Sequence, residues 1–146
     1  MNVKQISVLL DNTPGKLYDM TTVLADENIS IRALTVANST DASTVRFIVD
    51  NVIWTSSVLR DAGFDVSFSD VIAVEVPNVP GGLNTVLSVL RDGGVNIEYM
   101  YDVGCRYSGY GGHVCIVFKF TDNEKAIEVL NVAGVRMLGQ GDLAAI

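Results

Sequence analysis

The chain has 146 residues, 49% of them hydrophobic, enough to bury one ordinary core or two small ones. Mean hydropathy is high at +0.33, yet apolar runs such as Val114-Cys115-Ile116-Val117-Phe118 fall far short of the roughly 20 residues that a bilayer-spanning helix needs. The net charge of −7, from 10 basic and 17 acidic residues without a Lys/Arg cluster, argues against nucleic acid as a partner and assigns the acidity to solubility.

The opening Met1-Asn2-Val3-Lys4-Gln5 lacks the basic, apolar and small-residue order of a secretory leader, which points to a cytoplasmic protein. Residues 3–10 alternate, with Ile6, Val8 and Leu10 on one face and Gln5, Ser7 and Leu9 on the other, the period of a half-buried strand. Asn12-Thr13-Pro14-Gly15 then leads into a helix, because a proline ring suits the first helical turn, where its missing N–H is not needed. Leu17, Met20 and Leu24 form the apolar stripe of that helix, and Asn28 ends it by tolerating a left-handed backbone. Strands follow at about 29–37 and 43–50, then a helix from about Asn51 to Gly63 and a short strand at about 65–69.

The series then begins again. Ile6–Leu17 lies over Ile72–Leu83 without a gap, at an offset of 66 that persists through Leu24/Leu90, Asp26/Asp92, Ile29/Val95 and Ile31/Ile97. Val58–Gly63 matches Val129–Gly134 at an offset of 71, so the second copy carries five extra residues, many of them in Arg106–Gly112. Its first helix shows Leu83, Val86, Leu87 and Leu90 and ends at Gly93-Gly94; strands are predicted at about 95–103 and 113–120. Thr121-Asp122-Asn123-Glu124 has the capping-box pattern of a helix start, with Ala126, Ile127, Leu130 and Ala133 inward, Gly134 closing the helix and a last strand at about 135–139. Residues 1–69 and 70–146 thus read as two domains with one or two residues between their strands, too few for independent movement. Each βαββαβ unit predicts an α+β, ferredoxin-like fold, an antiparallel sheet with both helices on one face, which hosts many functions.

Both copies carry Asn-x-Pro-Gly between first strand and first helix, Asn12-Thr13-Pro14-Gly15 and Asn78-Val79-Pro80-Gly81. A helix start offers unpaired N–H groups and partial positive charge to a carboxylate. Gly15, Gly81 and Gly82 keep side chains out of the way, and Asn12 and Asn78 each offer a donor and an acceptor, which suits an amino acid. The competing reading is strand-to-helix punctuation, with Asn satisfying local backbone groups.

Asn-x-Pro-Gly-x-Leu after a strand, followed past the helix by Asn-Ile-Ser-Ile or Val-Asn-Ile, resembles the ACT domain of amino-acid-responsive enzymes, in both copies and over nearly the whole chain. ACT domains generally sit beside a catalytic domain, for which this chain has no room, so it resembles the free-standing tandem-ACT proteins. That implies a regulatory module in which domains pair side by side, with no catalytic residues, metal or cofactor expected. An amino acid would then sit between the first loop of one domain and the second strand of its neighbour, with a regulated enzyme as possible partner. Carried onto this chain, the loop contacts are Asn12, Thr13, Gly15 and Lys16 in one copy and Asn78, Val79, Gly81, Gly82 and Leu83 in the other. The strand contacts are Ser30, Ile31 and Arg32 in the first copy, and Asn96 and Ile97 in the second. Asn78 and Asn96 reproduce the spacing of 18 seen in serine-regulated phosphoglycerate dehydrogenase, whereas Asn12 is matched by Ser30, so the two copies differ at their ligand contacts.

Other chemistry is thin. Cys105 and Cys115 flank a predicted hairpin, where they could face each other, but they form no CxxC and read as free, buried thiols. His113 has no Ser, Cys or carboxylate partner at a recognisable spacing. Tyr99 and Tyr101 share a face with Ile97 as core or interface, while Tyr107 and Tyr110 either close over a ligand or cover an apolar edge. Leu34, Val36, Ile48 and Val117 are expected on the helix-free sheet face, more apolar than solvent requires, which predicts a homodimer. A structural dimerisation unit and a small enzyme are the alternatives; the latter lacks a first-loop Arg for acylphosphatase chemistry and basic phosphate contacts around His113.

Overall fold

A computed structural model describes residues 2–103 and 112–145. The chain divides into two compact units, Lys4–Ser69 and Asp70–Ile146, the latter with Met1–Val3. Cys105, Tyr107, Tyr110 and most of the predicted insertion at 106–112 lie outside the described residues. Among the described residues no helix is long and apolar enough to cross a membrane.

In the first unit β1 (Val3–Asp11) leads to α1 (Lys16–Asp26), β2 (Ala33–Asn38), β3 (Ala42–Ile48), α2 (Val52–Asp61) and the opening of β4 (Asp65–Pro77). β3 lies between β1 and β2, antiparallel to both, with Val8 opposite Val45 and Val36 opposite Val45. Ile6, Val8, Leu10, Val45 and Phe47 face Met20 and Leu24 of α1 and Leu59 of α2 in one buried core. Asn51 starts α2, its side chain accepting from the Trp54 N–H at 3.0 Å, while Asn28, at φ 57°, ends α1 in the left-handed region.

The second unit repeats the order. The later part of β4 is followed by α3 (Gly82–Asp92), β5 (Ile97–Asp102), β6 (His113–Phe120), α4 (Asn123–Val132), β7 (Met137–Leu138) and α5 (Gln140–Ala144). β6 pairs with β4 and β5, and β7 with β4, all antiparallel. Ile72, Val74, Val76, Ile116, Phe118 and Phe120 pack on Val86, Leu90, Ala126 and Leu130 from the two helices.

Several expectations change. The predicted strands at 65–69 and after 70 are one strand, β4, because no glycine or proline interrupts Asp65–Val76. The predicted strand 135–139 is only Met137–Leu138, and the unanticipated α5 follows at once, with Asp142 Oδ2 accepting from the Gly139 N–H at 2.8 Å. The N-cap of α4 is Asp122 rather than Thr121, since Asp122 Oδ1 accepts from Lys125 N–H while the Thr121 hydroxyl accepts from Asn96. Ala133 is exposed at the end of α4 instead of inward.

Two face assignments are also corrected. Leu34 and Val36 sit opposite Phe47 and Val45, so they belong to the helix-bearing face, where they stay partly exposed on β2. Ile48 and Val117 are completely buried within the single chain, so neither argues for association. Along β5 an extra residue intervenes between Ile97, opposite Phe120, and Tyr99, opposite Lys119. This bulge at Glu98 turns Ile97 to the helix-packed core and Tyr99 and Tyr101 to the other face, where their rings stack 6.5 Å apart.

Candidate functional site

Each first loop enters its helix through a glycine in the left-handed region, Gly15 at φ 87° and Gly81 at φ 82°. Neither helix has a side-chain cap. The first N–H of each turn is satisfied inside the loop: Lys16 donates to the Thr13 carbonyl at 3.4 Å and Gly82 to that of Val79 at 2.9 Å. Asp19 and Thr85 donate to the Gly15 and Gly81 carbonyls, each at 2.9 Å. Between them, the N–H groups of Leu17 and Tyr18, and of Leu83 and Asn84, have no partner among the described residues.

The glycines serve different needs. A Cβ on Gly15 or Gly81 would meet nothing within 4 Å, so the left-handed backbone, rather than crowding, requires glycine there. At Gly82 a Cβ would lie 2.0 Å from the Pro77 carbonyl oxygen, a close approach that the loop pattern did not reveal.

In the first unit Asn12, Thr13, Gly15 and Lys16 line a cleft of about 200 Å³ with Leu10, Leu17, Val36 and Asn38. The Asn12 amide is already engaged: Nδ2 donates to the Ser39 carbonyl at 3.1 Å and Oδ1 accepts from the Ser43 hydroxyl at 3.4 Å. The one Ser43 hydroxyl hydrogen is shared with Asn38 Oδ1, the closer acceptor at 2.6 Å, so Asn12 joins the loop to the β2–β3 hairpin chiefly through Nδ2. In the second unit the Asn78 backbone N–H donates to Gly112 at 2.8 Å, and no side-chain bond of Asn78 is present among the described residues.

Ser30, Ile31 and Arg32 precede β2. Because Asn38, the last residue of β2, pairs with Ser43 and its first, Ala33, with Ile48, these residues lie at the opposite end of that strand from Asn12. Within one unit the two predicted halves of the site are therefore apart. Asn96 and Ile97 at the start of β5 are likewise remote from Pro77, which pairs with His113 at the far end of β6. Val79 is exposed and Leu83 packs against the second core.

Ser30 lines a second cleft, of about 210 Å³, with Glu27, Asn28, Ile29, Asp50, Asn51, Trp54 and Thr55, a grouping that no sequence motif marks. Arg32 beside it holds Asp50 by two bonds, Nε to Oδ1 at 2.9 Å and a terminal nitrogen to Oδ2 at 2.7 Å. The hydrogen bond from Arg32 keeps Asp50 below the usual carboxylate range, and the same bond raises Arg32. Asn96 donates from Nδ2 to Thr121 Oγ1 at 2.9 Å and tethers the start of β5 to that of α4. Cys115 is a free, buried thiol whose pKa burial pushes up to about 12, with Glu75 and Asp102 adding to the rise. No group of three His, Cys, Asp or Glu residues suited to a metal ion occurs among the described residues, His113 included.

The solved structure of protein BT0572 from Bacteroides thetaiotaomicron is 37% identical to this chain, with a TM-score of 0.91 over 100% of it and 98% of that protein. The ligand-free regulatory subunit of aspartate kinase from Thermus thermophilus shares the fold at 13% identity and a TM-score of 0.60, over 89% of this chain and 91% of the other. The corresponding subunit from Thermus flavus matches at 13% identity and 0.60, over 92% and 94%. No curated protein matches. The sequence matches the ACT domain pair family over residues 1–146, the span of both repeats; the chain belongs to that family.

Proposed function

We propose that the chain is a regulatory module that binds an amino acid at its first-loop helix starts and transmits occupancy to a partner protein, without catalysing a reaction. The observation that carries this reading is the pair of unpartnered N–H groups left at each helix start, Leu17 and Tyr18, and Leu83 and Asn84, behind a glycine with open space before it. Such donors suit a carboxylate. Leu10, Leu17 and Val36 give the first cleft an apolar wall for a side chain, and Lys16 is the cation among its lining residues. Fold likeness to aspartate kinase regulatory subunits supports a regulatory role with an enzyme as partner.

The second repeat is the stronger candidate, since the Asn12 amide is bonded within its own unit while that of Asn78 has no such bond among the described residues. The loop residues Asn78, Val79, Gly81, Gly82 and Leu83 and the strand residues Asn96 and Ile97 stand at opposite ends of one unit. A complete site then combines the loop of one domain with the strand start of another, which makes homodimer formation part of the proposal. Isothermal calorimetry and thermal shift against the twenty amino acids test it. Binding of one or a few, weakened by Asn78→Ala, is expected; no response to any of them refutes the amino acid, and unchanged affinity in Asn78→Ala and Gly81→Val moves the site elsewhere.

A further inference from the structure

The two repeats handle one corner of the fold in opposite ways. Where the first helix of each repeat ends, a left-handed residue, Asn28 at φ 57° or Gly94 at φ 68°, turns the chain. The next N–H closes the same bond in both, Ile29 to the Leu24 carbonyl and Val95 to the Leu90 carbonyl, each at 2.9 Å. Beside this turn begins the second helix, capped by Asn51 or Asp122, and its third residue is Trp54 in one repeat and Lys125 in the other. Lys125 extends its ammonium to the Gly94 carbonyl, Nζ to O at 3.3 Å. The second repeat thus fills its own corner with a cation, at the negative end of the α3 dipole.

The first repeat holds no such cation. The Asn28 carbonyl, equivalent to that of Gly94, accepts no hydrogen bond among the described residues. Trp54 leaves instead the cleft of about 210 Å³, walled by its half-exposed indole and by Ile29 and edged by Glu27, Ser30 and Asp50. Asp50 is already balanced by Arg32, so Glu27 supplies the net negative charge.

The geometry points to this cleft as a binding site for a small alkylammonium ligand. The ammonium takes the place that the Lys125 ammonium occupies in the second repeat, on the Asn28 carbonyl and Glu27, and its carbon chain lies along Trp54 and Ile29. An aromatic face attracts an organic cation and shelters its alkyl part, a combination that a neutral alcohol does not satisfy. The cleft uses none of the first-loop residues, and shares only Ser30 with the strand contacts of the amino-acid reading.

Trp54 is the one tryptophan of the chain, so its fluorescence reports on the cleft directly. Titration of the full chain with n-butylammonium chloride is expected to give a saturable change with a dissociation constant on the order of millimolar. Neither 1-butanol nor sodium chloride at equal ionic strength reproduces it. Glu27→Gln weakens the affinity roughly threefold, and Asn78→Ala leaves it unchanged. Trp54→Lys, which copies the second repeat, abolishes butylammonium binding by calorimetry. A response that never saturates, an equal response to 1-butanol, or an undiminished affinity in Glu27→Gln overturns the assignment.

Discussion

Replacing Gly82 with alanine drives a methyl group into the backbone of the preceding strand. The new Cβ would stand 2.0 Å from the Pro77 carbonyl oxygen and 2.9 Å from its carbon. A comfortable carbon–oxygen contact is about 3.3 Å or more, so one segment must retreat by roughly 1.3 Å. Pro77 belongs to β4 and faces His113 on β6, so it cannot yield as a side chain would. Overpacking against such a partner costs about 3 kcal/mol, the upper part of the usual range. Gly81→Ala is the control: its Cβ meets nothing, and only the φ of 82° is at issue. A left-handed alanine costs about 1–2 kcal/mol, and the reduced freedom of the unfolded chain returns about 0.4–1 kcal/mol, leaving a net loss of about 1 kcal/mol. Gly15→Ala, at φ 87° with open space, should match Gly81→Ala. Urea unfolding of the three variants measures this order. If Gly82→Ala loses no more stability than Gly81→Ala, the close approach at Pro77 is refuted.

Three further outcomes follow from individual contacts. Asn12→Ala removes two bonds to the β2–β3 hairpin and should cost about 1 kcal/mol, whereas Asn78→Ala should be nearly neutral for stability; equal losses in urea unfolding would contradict the difference between the loops. Asp50 is held below its ordinary pKa by the hydrogen bond from Arg32, so its stabilisation is full above about pH 4 and is lost as pH falls through the lowered value. With Asp50 45% exposed the pair contributes only about 0.5 kcal/mol, and the stability gap to Asp50→Asn should narrow below pH 4; a gap independent of pH would exclude the ion pair as its source. Cys115, buried and pushed up to about 12, should resist iodoacetamide at pH 8 in the native protein and react after unfolding, as peptide mass mapping can read; native labelling at the unfolded rate would contradict its burial.

Much of the architecture was legible because it is written in short-range patterns. The offset between Pro14 and Pro80, the alternation of Ile6, Val8 and Leu10, and the stripes of Met20 with Leu24 and Val86 with Leu90 all led to observed strands, helices and cores. The helix starts were legible only in part: Pro14 and Pro80, expected in the first helical turn, lie in the turn before it, because a left-handed Gly15 or Gly81 stands between each proline and its helix. The cleft beside Trp54 was not legible, although the exchange of Trp54 for Lys125 between aligned repeats was a visible signal.

The sequence by itself determined the duplication and, apart from the continuous β4 and the added α5, the element order, because each element is set by residues within a turn or two of one another and the same series recurs in the second copy. Only the tertiary structure decided which faces Leu34, Val36, Tyr99 and Tyr101 occupy, since that depends on strand register and one bulged residue, Glu98. It also decided that the Asn12 amide is bonded to Ser39 and Ser43, 27 and 31 positions away, and that Ser30 lies at the far end of β2. Hydrogen-bond partners and distances across a sheet belong to the folded chain, and no local periodicity carries them.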